Sequence, residues 1–161
     1  MLRAYEYRSC VCGFDLRIGN ISAGLEAAHI QWFTADGPDV ESNGMAMCSL
    51  HHKIFDLGTF TVQPANLSIV FSQNLQLGDT TRSHLLSYHG AGIIRPQSAA
   101  YAPQKSYLDW HAKEVFKGDG HSCPRLSSTN QVDEPAGVDK NSVLMRLVDR
   151  AWKVAATYQR R

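Results

Sequence analysis

The stretch that decides the fold begins Glu26-Ala27-Ala28-His29-Ile30, crosses a loop, and resumes as Asn43-Gly44-Met45-Ala46-Met47-Cys48-Ser49-Leu50-His51-His52-Lys53-Ile54-Phe55-Asp56-Leu57-Gly58. His29, Asn43 and His52 follow one another at intervals of 14 and 9 residues. Residues 32–42 read as a loop, because Asp36-Gly37-Pro38-Asp39 is turn chemistry. Ala46 through Leu57 reads as a helix closed by Gly58 at its C-terminal cap. On that helix His52 and Asp56 lie four residues apart and share a face. His51 is rotated from His52 by about 100°, so the adjacent pair does not converge on one ion.

Working outward, further wording attaches to this stretch. Cys10-Val11-Cys12-Gly13-Phe14-Asp15 precedes it, and Leu25-Glu26-Ala27-Ala28-His29-Ile30 opens it. Asn43-Gly44 leads to Cys48-Ser49-Leu50-His51-His52-Lys53 and Phe55-Asp56-Leu57-Gly58. Tyr88-His89-Gly90, Pro96, Trp110-His111 and Val115-Phe116-Lys117 trail behind. Over residues 5–117 the chain resembles the His-Asn-His (HNH) endonuclease domains, above all those of the McrA type of modification-dependent restriction enzyme.

The resemblance implies an α+β fold: an HNH ββα-metal nuclease core with an added β-hairpin and C-terminal helices. It implies a metal-dependent DNA endonuclease of the restriction type. His29 would be the general base at the end of a strand, Asn43 the brace of the loop, and His52 a metal ligand. The residue types suit that chemistry. Phosphodiester hydrolysis needs a base that titrates near neutral pH, and a divalent cation on the phosphate oxygens. Magnesium or manganese is expected, with nickel or cobalt as alternatives for an imidazole site. Relatives place Asp or His just before the base, where this chain has Ala28. Asp56 is the favoured replacement ligand. Glu26, two residues before Ala28 on the same strand face, is the other.

The rival expectation is a noncatalytic nucleic-acid-binding module with a degenerate HNH metal site. Relatives also carry structural zinc on paired knuckles. Here Cys10, Cys12, Cys48 and His51 are a candidate tetrahedral set, although Ser9 stands where the regular spacing puts the first cysteine. The competing expectation is that Cys12 and Cys48 are small buried apolar groups. Trp110 is expected in the core, and His111 either braces the site or touches DNA.

The nuclease hairpin is expected from residues 14–19 and 24–31. Thr59–Val62 and Leu67–Phe71 are the best strand signals, joined by a turn at Gln63–Asn66. His84–Tyr88 reads as a helical turn and Gln104–Phe116 as a helix stopped near Gly118. Residues 1–117 form the nuclease domain, 118–138 a linker rich in Gly, Ser, Pro and Asn, and 139–161 an amphipathic segment. In the last, Leu144, Leu147, Val148, Ala151, Trp152, Ala155 and Tyr158 recur on one helical face over 141–158. That stripe is expected either to pack on the nuclease core or to form a homodimer interface.

A length of 161 residues suits one domain with an ordinary core. The formal net charge of +1 excludes a globally basic coat. It leaves room for a local patch around Lys113, Lys117, Arg125, Arg160 and Arg161. The four cysteines show no disulfide-ladder spacing, which points to a reducing, cytoplasmic compartment. No apolar run reaches membrane-spanning length, and Met1–Glu6 has no signal core.

Overall fold

The computed structural model describes residues 1–121. The helix expected over 141–158, Cys123, Arg125, Arg160, Arg161 and most of the linker expected over 118–138 lie outside the described residues. Elements follow in the order β1 (Arg17–Ile18), β2 (Ile21–Ser22), β3 (Leu25–His29), β4 (Gly44–Cys48), α1 (Ser49–Asp56), β5 (Phe60–Val62), β6 (Ile69–Phe71), α2 (Asp79–Leu86) and α3 (Lys105–Glu114). The mixture of small sheets and helices is the expected α+β class.

The nuclease hairpin is built differently from the expectation. β3 pairs antiparallel with β4, not with residues 14–19, and its register sets Glu26 opposite Met47, Ala28 opposite Met45 and His29 opposite Gly44. Residues 14–19 contribute only β1, which turns at Gly19 into β2 as a separate small ribbon. The expected helix over Ala46–Leu57 therefore begins as strand: Ala46, Met47 and Cys48 belong to β4, where Met45, Ala46 and Met47 are fully buried, and α1 begins at Ser49. Methionine and alanine favour helices in isolation. Here both faces of β4 are covered, by the N-terminal turn Leu2–Tyr5 and by α1, and tertiary burial overrides propensity.

α1 buries His51 and Phe55, one turn apart, and leaves His52 and Asp56 on the adjacent, more open face. Its end matches the expectation at Gly58. With φ of +72° this residue takes the left-handed conformation, and its N–H bonds to Phe55 O at 2.8 Å. A Cβ there would lie 2.0 Å from Val115 O, so only glycine lets the end of the α3 segment close on α1.

The second hairpin appears as expected. β5 and β6 pair with Phe60 opposite Phe71 and Val62 opposite Ile69. Phe55, Phe60, Phe71, Ile30, Ile69, Leu108 and the β4 methionines form the core that fixes α1 against both hairpins. The turn expected at 84–88 is the end of a longer helix, α2, whose first turn carries Asp79 at the favourable end of the helix dipole. Among the described residues no helix is long and apolar enough to cross a membrane.

Candidate active site and a cysteine-histidine cluster

His29 ends β3 where the chain leaves the sheet, and Asn43 re-enters opposite it. Ile30 N–H donates to Asn43 O at 3.0 Å, closing the loop at its base. The buried Asn43 side chain then holds the loop from inside. Its Oδ1 accepts from Gln31 N–H at 2.9 Å, and its Nδ2 donates to Gln31 O at 3.0 Å and Pro38 O at 2.9 Å. An amide suits this position because it offers an acceptor and two donors at once. Among the described residues no hydrogen bond joins Asn43 to His29; Asn43 fixes the backbone that follows the histidine, at Ile30, Gln31 and Pro38. The loop returns Asp39 to the histidine, with Oδ1 3.3 Å from His29 Nε2, although the pair is not aligned as a hydrogen bond.

His52 lies between two carboxylates. Its Nδ1 is 2.6 Å from Glu26 Oε2, and its Nε2 is 3.5 Å from Asp56 Oδ2. Glu26 reaches across from β3, and its other oxygen accepts from Ser49 Oγ at 2.7 Å. The Ser49 hydroxyl first, and His52 second, hold the Glu26 carboxyl below the usual glutamate range. Both alternatives raised by Ala28 are thus present, on opposite nitrogens of one ring. Ala28 itself is fully buried. Among the described residues no hydrogen bond or ion pair joins His29 to His52.

The four-residue cysteine set is brought together only in part. Cys12, Cys48 and His51 converge, with one donor atom from each within 4.8 Å of the others. Cys10 does not join them. Its side chain is buried in the core, which pushes its thiol up, and its backbone is taken by Ala46 O and Ile94 N–H. In a Cys-x-Cys turn the two side chains diverge, so only one faces the cluster. Cys12 and Cys48 are free thiols with sulfurs 3.8 Å apart. The hydrogen bond from Cys48 is the largest influence lowering the Cys12 thiol, to about 3.

His111 is closed to DNA by its burial and packs against α1. It is fully buried and stacked on Phe55 at 3.7 Å with 2° between the planes. Nε2 lies 3.3 Å from Phe55 O and Nδ1 3.0 Å from Thr61 Oγ1. A carbonyl only accepts, so Nε2 carries the proton and Nδ1 accepts from the threonine hydroxyl. Burial is the main cause lowering its pKa to about 4. Trp110 is half-buried, edge-on to Trp32 at 5.8 Å. Asp39, Ser49 and Thr61 carried no signal in the sequence, since each matters only through a partner far along the chain.

A β-hairpin spanning a braced loop, followed by one helix carrying a histidine and a carboxylate, is the ββα arrangement of a nuclease domain. Residues 9–63 match the family model described as HNH endonuclease. They form an HNH endonuclease domain. The fold is shared with a solved structure, "Modification dependent TagI restriction endonuclease", at a TM-score of 0.51 and 21% sequence identity. That likeness covers 71% of this chain and 35% of the other, so the chain spans about a third of that protein's length. No curated protein matches the chain.

Proposed function

We propose that this chain is a metal-dependent endonuclease that hydrolyses DNA phosphodiester bonds, a restriction-type activity exerted in the cytoplasm. The observation that carries this is the setting of His52. Glu26 occupies Nδ1 and leaves Nε2 beside Asp56 Oδ2, 3.5 Å away. A carboxylate on one ring nitrogen fixes the tautomer and directs the other nitrogen to a metal. His52 Nε2 and Asp56 then form a mixed nitrogen and oxygen donor pair, and Glu26 is their positioning residue. The set fits a small divalent cation, magnesium or manganese first, with nickel or cobalt compatible with the imidazole. When bound, such an ion supplies charge stabilisation at the phosphate oxygens.

His29 acts as the general base. With Nε2 turned toward the Asp39 carboxylate, Nδ1 is the nitrogen left to take a proton from water. Asn43 keeps the strand end and the loop in register, so the base does not drift. A homodimer through the 141–158 helix, which bears an apolar stripe in the sequence, would pair two such sites for a double-strand break.

Nicking of supercoiled plasmid with Mn²⁺, and its arrest by a chelator, tests the reading. His29→Ala should lower the rate on the order of 10²–10⁴-fold with unchanged Mn²⁺ affinity. His52→Ala should abolish cleavage and weaken Mn²⁺ binding measured by calorimetry. Full activity of His29→Ala, or equal Mn²⁺ binding by His52→Ala and wild type, refutes the assignment. A stable wild type that binds DNA without cutting it supports the noncatalytic module instead.

A further inference from the structure

The loop that follows His29 displays apolar side chains that the chemistry above does not use. Trp32 is 39%, Val40 41% and Phe33 74% exposed. Among the described residues no large apolar side chain is more exposed than Phe33, whereas Phe55, Phe60 and Phe71 are fully buried. Single exposed apolar residues are ordinary. Three on the short loop beside the proposed general base are a cluster.

The loop holds this display firmly. Phe33 opens a single turn, Phe33–Ala35, that Asp36 ends in the left-handed conformation at φ of +59°. Ala35 N–H and Gly37 N–H both donate to Trp32 O, at 2.9 and 3.0 Å, and Gln31 Nε2 donates to Ala35 O at 2.7 Å. Gly37 is buried, and a Cβ there would collide with Gln31 O, so the loop closes on its own stem. Asn43 fixes that stem, and Trp32 is anchored edge-on to Trp110 of α3. The backbone under Phe33 is held on both sides while its ring stands in water.

Charge decides what such a loop can touch. Residues 31–43 include Asp36, Asp39 and Glu41 and no lysine or arginine. A phosphate backbone seeks cations and gains nothing there. A nucleobase has a neutral π-face, and an aromatic ring stacks on it whatever the sequence. Phe33 follows His29 by four residues, so their Cα atoms are at most about 14 Å apart. At about 3.4 Å per step of a strand, the ring falls within about four steps of the phosphate that His29 serves.

We propose that Phe33 stacks on a nucleobase close to the scissile phosphate and so positions the DNA strand against His29 without reading its sequence. The substrate in this proposal rests on the endonuclease reading; the contact rests on the loop. Trp32 anchors the loop to α3, and Phe33 meets the base.

Equilibrium binding of a mixed-sequence DNA duplex, measured by fluorescence anisotropy without metal, and nicking of supercoiled plasmid with Mn²⁺ test it together. Phe33→Ala should bind about 5- to 150-fold more weakly, with the melting temperature and Mn²⁺ affinity of wild type. The slope of log affinity against log salt should stay the same, because no phosphate contact is lost. Phe33→Tyr should bind like wild type and Phe33→Leu like Phe33→Ala, which separates a stacking ring from an apolar wedge. Wild-type affinity in Phe33→Ala or in Phe33→Leu, or a shallower salt slope in Phe33→Ala, overturns the proposal. Ring-dependent binding by a wild type that does not nick refutes the endonuclease reading and leaves the stacking contact standing. Nicking with binding indifferent to Phe33 does the reverse, and a wild type that binds no DNA removes both.

Discussion

Replacing His111 by glutamine isolates a pH-dependent contribution to stability that the packing around α1 makes specific. His111 is neutral in the fold, with a pKa lowered from 6.5 to about 4, chiefly by burial. In the unfolded chain it titrates at its ordinary value. Between those values the unfolded state binds more protons, so stability rises with pH. The contribution is fully present above the unfolded pKa and is lost as pH falls toward the folded one. Lowering pH from about 7 to about 5 should cost about 2 kcal/mol through this group alone, and about 3 kcal/mol by pH 4. Glutamine keeps a donor for Phe55 O and an acceptor for Thr61 but does not titrate. Urea denaturation at the two higher pH values measures the difference. Wild type should lose about 2 kcal/mol more than His111→Gln between about pH 7 and about pH 5. The Glu26 carboxyl is lowered as well, by Ser49 first and His52 second, and its contribution to stability is lost in the same direction but only as pH falls below the ordinary glutamate range. Its effect therefore falls outside this window. Equal losses in both proteins would mean that His111 is not held neutral against Phe55.

Two further perturbations act on the loop and on the chain end. Asn43→Ala removes three hydrogen bonds to Gln31 and Pro38 and should cost about 2–3 kcal/mol in denaturation. It should also slow cleavage by about 10²-fold through displacement of His29, with Mn²⁺ affinity unchanged; unchanged cleavage would dissociate the brace from the base. Deleting residues 139–161 should convert a dimer to a monomer when mass is measured by light scattering, and a wild type already monomeric removes the proposed interface.

The sequence made the nuclease core legible through residue types at fixed intervals, and misjudged the strand that completes it. The His29, Asn43 and His52 spacing located the hairpin, its loop and its helix, and Gly58 marked the helix end to within one residue of Asp56. Met45-Ala46-Met47 is apolar without alternation, so periodicity could not separate a doubly buried strand from the start of a helix. Pairing decided it: Ala28 and Leu25 of β3 need an apolar partner, and only β4 supplies one in register. Residues 14–19 lost that role because their ribbon remains exposed, with Ile18 at 72% and Ile21 at 73%.

The candidate site divides along the same physical line. Contacts within a helix were readable, since His52 and Asp56 one turn apart need no knowledge of the fold. Contacts between elements were not. Glu26 sits on the same ring as Asp56 but approaches the opposite nitrogen, so in the proposed metal site Asp56 is the ligand and Glu26 the positioning group. Ala28, which the resemblance marks as a missing ligand, is fully buried under the hairpin, and Glu26 two residues earlier puts a carboxylate on the same strand face. The two adjacent histidines of α1 are separated in the same way: the rotation between them sends His51 to sulfur and His52 to oxygen, so one short helix presents a soft donor set on one face and a hard one on the next.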